Sequence, residues 1–389
     1  MLAATVRVTR DLDLAQECAQ DAFTRALTSW STDGVPAHPG AWLTTVARRR
    51  ALDVVRREET LRRKLPLLVE PQVDPERTPT GPIADDRLRL IFTCCHPALA
   101  LEAQVALTLR LLCGLSTAEV ARAFVVSEAT MAARITRAKK KITQARIPYR
   151  VPDEAELPER VDAVLVALHL LFSTGHAAPA GTALRRHDLI DRALDLARLL
   201  RSLLPGPEVA GLLALMLLTD ARRDTRVDDG GALVLLEDQD RSRWDRAGID
   251  EGLVLVREAL QARPPGRFAL QAAIAAVHAD AATWAETDWR EIAALYALLE
   301  QRWPSPVVAL NRAVAVGFAH GWAAGLAALD ALAREPALSS YGYLPAARAD
   351  ALRRLGRTAE ARAAYADALA LTSNEVERAF LAARLAQQS

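Results

Sequence analysis

Twice in 389 residues an otherwise helical pattern is broken by a proline-rich stretch, and these two breaks limit the chain to three blocks of packed helices. "LPLLVEPQVDPERTPTGPIADD", beginning at Leu65, holds no sustained period, and "PYRVPDEAELPER", Pro148 to Arg160, has three prolines in thirteen residues. Proline fixes φ, lacks an N–H and biases the preceding residue away from the α region, so neither stretch continues a helix. Between the breaks the apolar residues are chiefly Ala and Leu, with few β-branched runs, which favours helices packed on helices. An all-α fold is predicted, with two small helical domains at 1–64 and 85–147 joined by a flexible linker at 65–84. A second linker at 148–160 leads to a helical-repeat domain at 161–389.

In the first block, "DLDLAQECAQDAFTRALTSW" places Leu14, Cys18, Ala22 and Leu27 near one helix face. After the loop "STDGVPAHPG", "AWLTTVARRRALDVVRREETLRRK" reads as a long helix with Trp42, Val46, Leu52 and Val55 inward and its arginines outward. The formal net charge is only +1, but the charge is segregated. Val46 to Lys64 has eight Arg/Lys against three Asp/Glu, and Ala129 to Arg150 has seven Arg/Lys and no carboxylate.

"LSTAEVARAFVVSEATMAARITRAKKKI", Leu115 to Ile142, reads as two short helices about a tight turn. Ser116 or Thr117 caps the first, and Ser127 caps the second. Val120, Ala121, Phe124, Met131 and Ile135 face inward, while Thr130, Arg134, Arg137 and Lys141 lie on the opposite side. A helix-turn-helix needs this pattern, because the polar residues of the second helix reach base edges while its basic end holds phosphates.

Cys94, Cys95 and His96 lack the spacing of a zinc ligand set, and their place beside "LRLIF" predicts core packing. In the third block the Asp-Gly-Gly turn of "TRVDDGGALVLLED" predicts a small hairpin. The alternating charges of "LVLLEDQDRSRWDR" predict an ion-pair network fixing a loop. "VALNRAVAVGFAHGWAAGLAALDAL" resembles "YLPAARADALRRLGRTAEARAAYADALAL" at an offset of about 35 residues, the period of helix-pair repeats. His169, His176, His187 and His278 are scattered with no nucleophile motif near them, so neither enzymatic activity nor a cofactor or metal is expected. The longest apolar run, Val209 to Leu218, is too short to span a bilayer, and no signal-peptide core opens the chain, so a cytoplasmic protein is expected.

Taken in order, the motifs of the first 150 residues resemble the extracytoplasmic-function sigma factors of bacterial RNA polymerase. "DLDLAQECAQDAFTRALTSW" is similar to the polymerase-docking helix of sigma region 2, which implies that Gln20, Asp21 and Arg25 face the β′ subunit. "PGAWLTTVARRRALDVVRRE" is similar to the segment that recognises and melts the −10 element. That implies phosphate contacts by Arg48, Arg49, Arg56 and Arg57 and strand stacking by Trp42. Asp85 to Arg150 is similar to region 4, which implies −35 contacts by Thr130, Arg134 and Arg137, with Lys139, Lys140 and Lys141 adding sequence-independent affinity. "FTCCHPAL", "IPYRVP" and the helical extension resemble the subgroup with a tetratricopeptide-like carboxyl-terminal domain, which implies control of activity in cis. About ten residues precede "DLDLAQE", where the family usually has a full helix, so either a misassigned start codon or an incomplete first helix of region 2 is expected. The implied partners are core RNA polymerase through β′ and β, promoter DNA and a regulatory protein on the extension, with no membrane. The alternative is a one-component helix-turn-helix regulator whose helical domain binds a ligand or a protein.

Overall fold

The computed structural model describes residues 1–64, 86–124, 126–176 and 186–388, with the backbone alone at 57–64, 122 and 123. Among these residues the regular structure is 18 α-helices and short 3₁₀ turns, with no strand, which is the all-α class expected. None of the described helices is long and apolar enough to cross a membrane. The chain divides into two compact units, 1–167 and 168–389. The predicted linker 65–84 lies outside the described residues.

The first unit opens with α1 (Leu2–Thr9), α2 (Leu12–Asp33) and α3 (Pro39–Lys64). Arg10 in the left-handed region ends α1, and the Asp11 carboxylate caps α2 by accepting from the Asp13 and Leu14 amides at 2.8 and 2.9 Å. The buried stripe of α2 runs through Leu12, Ala15, Ala19, Ala22 and Ala26, alternating steps of three and four. On α3 the fully buried positions are Ala47 and Ala51. Small residues on both sides let the two backbones approach, and this seam corrects the sequence expectation. Leu27 is 79% exposed because it lies one residue, about 100°, off the stripe. Val46, Leu52 and Val55 are half-buried, flanking the alanine seam instead of forming it.

The same unit continues with α4 (Asp86–Cys94), α5 (Leu101–Leu111), α6 (Thr117–Ala123) and α7 (Glu128–Gln144). Leu88, Leu90, Ile91, Phe92, Leu107 and Met131 are essentially buried and form the core of this block. Residues 148–160 are tied to the unit by polar contacts. The Tyr149 hydroxyl sits 2.8 Å from the Ala3 carbonyl oxygen and 2.9 Å from that of Asp86, and Arg160 donates to the Phe92 carbonyl at 2.5 Å. The helix α8 (Leu157–His176) runs through the division between the units.

The second unit continues with α9 (His187–Leu203), α10 (Pro207–Asp220), α11 (Arg246–Ala259), α12 (Arg267–Asp280), α13 (Trp289–Arg302), α14 (Pro306–His320), α15 (Trp322–Ala331), α16 (Tyr343–Arg354), α17 (Thr358–Leu371) and α18 (Glu375–Ala386). Two glycines set its tightest crossings. A Cβ on Gly211 of α10 would stand 2.6 Å from the Ala269 amide nitrogen of α12, and one on Gly325 of α15 would stand 2.6 Å from Gly317 Cα of α14. The expected hairpin contracts to one antiparallel bridge, Val227 to Leu233, with the Asp228 carboxylate accepting from the Gly230 and Ala232 amides. The charged loop after it is held mostly by other means than the ion-pair network expected. Asp240 and Asp245 cap helices, and Arg241 donates to the His278 and Ala281 carbonyls at 2.7 and 2.6 Å. Glu237 does form an ion pair, but with distant Arg354 at 2.9 Å.

Candidate nucleic-acid interface

A reciprocal capping box starts α6: the Ser116 amide donates to the Glu119 carboxylate at 2.6 Å, and the Glu119 amide donates to the Ser116 hydroxyl at 3.2 Å. Ser127 caps α7 by accepting from the Thr130 amide at 3.2 Å. Val120, Ala121, Met131 and Ile135 are buried as the periodicity requires, with Ala138 and Ile142 extending the same stripe. The residue between α6 and α7, Val125, lies outside the described residues. α7 is thus held by its apolar face, and its other side is left to solvent.

On that side Thr130, Arg137, Lys140 and Lys141 are exposed. The Thr130 hydroxyl is 2.8 Å from that of Ser127. Arg134 is half-buried, its guanidinium 5.6 Å from the Phe124 ring centroid, which steadies it at the start of the basic face. Lys139 is engaged within the chain: its Nζ contacts Asp13 Oδ1 at 2.6 Å and also reaches Gln16 Oε1 of α2, and its side chain is only 13% exposed. The first lysine of the expected phosphate-binding run is therefore already neutralised by a carboxylate 126 residues away in sequence.

On α3, Arg48, Arg49 and Arg56 are exposed, while Arg50 between them is held by Asp21 at 2.9 Å. The side chain of Arg57 lies outside the described residues. Trp42 is half-buried against Trp30, with ring centroids 5.5 Å apart and planes tilted by 59°. On α2, Gln20 and Arg25 are exposed and Asp21 is half-buried through its contact with Arg50. Sequence reasoning missed Phe23 and Leu27 on this helix, which are 52% and 79% exposed and one turn apart. The available signal was two large apolar residues that fall off the heptad-like stripe and so have no core to enter.

Cys94 and Cys95 are buried in the core of the second block, as their setting predicted. Burial pushes the Cys94 thiol well up and the Cys95 thiol up to about 11, the latter against the opposing effect of the Thr108 hydroxyl 3.5 Å away. Both remain protonated at neutral pH and are poor nucleophiles. Among the described residues no group of three or more His, Cys, Asp or Glu side chains is placed to hold a metal ion.

Comparison with known proteins places these blocks. Residues 2–60 match the family model of sigma-70 region 2, and residues 89–142 match that of sigma-70, region 4. Residues 160–260 match a family of unknown function, DUF6596. The chain is 44% identical over 391 residues to the uncharacterized protein R00370 of Rhizobium meliloti (strain 1021), covering 99% of this chain and 92% of that one. No solved structure matches.

Proposed function

Because the chain belongs to the sigma-70 family of transcription initiation factors, we propose that it is an extracytoplasmic-function sigma factor that carries core RNA polymerase to promoters. In this reading α2 docks on the polymerase, α3 contacts the −10 element and α7 contacts the −35 element. The observation that carries it is the pair of exposed basic faces on two differently built helical blocks: Arg48, Arg49 and Arg56 on α3, and Arg137, Lys140 and Lys141 on α7. A helix-turn-helix regulator has no use for the first of these.

Exposed Phe23 and Leu27, beside Gln20, Asp21 and Arg25, supply the apolar anchor that a protein interface needs among polar neighbours. Trp42, steadied by Trp30 and still half accessible, is suited to stack on an unpaired base. Arg134 and Thr130 sit at the end of α7 that enters a major groove, with the basic carboxyl-terminal run toward phosphates. In this reading the helix pairs α14–α15 and α16–α17 act as tetratricopeptide-like repeats, and the second unit controls the sigma blocks in cis, by itself or with a regulatory protein.

Transcription from chromosomal promoters with purified core polymerase tests the reading. The full chain should start specific transcripts with core enzyme alone; a requirement for holoenzyme already carrying another sigma factor would refute it. A truncation after Ala167, which keeps the Arg160 contact with Phe92, should change the yield of those transcripts if the second unit regulates in cis.

A further inference from the structure

The second unit holds a partly open cavity of about 580 Å³ among α8, α10, α12, α13 and α14, within the size range of small-molecule sites. Its wall includes two arginines, Arg222 and Arg267, and two histidines, His169 and His278, and no carboxylate. The rest is largely apolar or aromatic, with Trp303 among the aromatic side chains.

Arg222 is the unusual group. Several arginines of this unit meet carboxylates: Arg201 with Glu258, Arg223 with Asp220 and Asp191, Arg354 with Glu237 and Asp350. Arg222 meets none among the described residues. Its charged neighbour is Arg241, which repels it, and Tyr296 gives a weak opposing attraction. Burial, aided by Arg241, lowers the Arg222 guanidinium to about 10, still protonated at neutral pH. Arg241 is not among the lining residues and is held by its bonds to the His278 and Ala281 carbonyls and to the Thr287 hydroxyl, 4.8 Å from the Trp244 ring.

Three carboxylates of neighbouring segments are engaged elsewhere. Asp220 holds Arg223, Glu237 holds Arg354, and Glu208 accepts from the Phe268 and Ala269 amides. The histidines add no charge. Burial, with Arg222 and then Arg241, lowers His278 to about 4, and burial with Arg267 does the same for His169. Among the described residues the Nδ1 atom of His278 is buried without a hydrogen-bond partner. Arg222 is half-buried in the cavity wall, and a cationic fork there without a counter-charge is suited to an anion that completes it.

We propose that this cavity binds a small organic anion, its charged head on the Arg222 guanidinium and its apolar body against the aromatic and aliphatic wall. The ligand class follows from the chemistry of the lining: a carboxylate or phosphate monoester, with a ring or short aliphatic chain. Bare inorganic anions would leave the apolar wall uncovered, and neutral analogues would leave Arg222 uncompensated.

Thermal shift and titration of the full chain with 1-naphthoate, 1-naphthyl phosphate, the neutral 1-naphthamide and inorganic phosphate test this. At least one naphthyl anion should bind saturably and raise the melting temperature, the two anions together deciding between a carboxylate and a phosphate head. The amide and inorganic phosphate should bind at least tenfold more weakly than that anion. Arg222→Gln should melt no lower than the parent and lose at least tenfold in anion affinity, while leaving amide binding unchanged. Should Arg222→Gln fail to fold, Arg222→Lys and the comparison of anion with amide on the parent chain carry the same test. Equal binding of amide and anions, an anion affinity untouched by either substitution, an effect of inorganic phosphate equal to that of the naphthyl anions, or no anion binding at all would each overturn the proposal.

Discussion

The contact between Lys139 and Asp13 makes a quantitative prediction about DNA binding. Each cation that neutralises a phosphate steepens the dependence of log K on log salt by about 0.9. If Arg134, Arg137, Lys140 and Lys141 each meet one phosphate, the slope from this helix is about −3.6, and affinity falls about 150-fold between 50 and 200 mM salt. Lys139 adds nothing to that slope while its Nζ stays 2.6 Å from Asp13 Oδ1, since a lysine held by a carboxylate neutralises no phosphate and releases no counterion from the DNA. The pair is worth about 0.5–1 kcal/mol, because Asp13 is 70% exposed and solvent screens it. Asp13→Ala should therefore release Lys139, steepen the slope by about 0.9 and tighten binding at 50 mM salt about two- to fivefold. Lys140→Ala and Lys141→Ala should each flatten the slope by about 0.9, and Lys139→Ala should leave it nearly unchanged. Fluorescence anisotropy of a random-sequence 30-base-pair duplex, titrated with the full chain across salt concentrations, needs no knowledge of the promoter. The reasoning is refuted if Lys139→Ala flattens the slope as much as Lys140→Ala does while Asp13→Ala changes nothing.

Other consequences are independent of this one. Phe23→Ala and Leu27→Ala should leave the melting temperature nearly unchanged, within about 0.5 kcal/mol of the parent, because both side chains face solvent. Each should weaken binding to core polymerase in a pull-down, and undiminished binding by the double variant would remove them from the docking face. Asp21→Lys should weaken the same binding but also cost some stability, since it leaves Arg50 without its partner at 2.9 Å. Gly211→Ala should destabilise the second unit by about 1–3 kcal/mol in thermal unfolding, because the added methyl would sit 2.6 Å from a backbone nitrogen of α12 and neither helix can yield cheaply. His169 and His278, lowered to about 4 in the fold, bind a proton more readily once unfolded. Their contribution to stability is thus full above about pH 6.5 and is lost as pH falls toward 4, so His278→Gln should reduce the acid sensitivity of the melting temperature over that window.

The sequence alone was enough for whatever depends on near neighbours in the chain. The capping box at Ser116 and Glu119, the Ser127 cap and the buried stripe of Met131 and Ile135 are decided by residues three or four apart, where helix geometry itself brings groups together. The all-α class and the basic outer faces of α3 and α7 follow from the same local periodicity. The faces that pack were only partly legible. Leu14, Cys18, Ala22 and Leu27 fit a helical face on paper, yet Leu27 stands in solvent, because which of two adjacent stripes is buried depends on the small-residue seam that α3 offers.

Charge compensation was decided by tertiary structure alone. Lys139 looks like its neighbours Lys140 and Lys141 in the sequence, and only the docking of α7 near α2 brings Asp13 to it. Arg222 looks like Arg223 beside it, but one turns to two carboxylates and the other lines a cavity that has none. An ion pair acts over a few ångströms, so its partners are set by where helices come to rest, and no local pattern in the chain carries that distance.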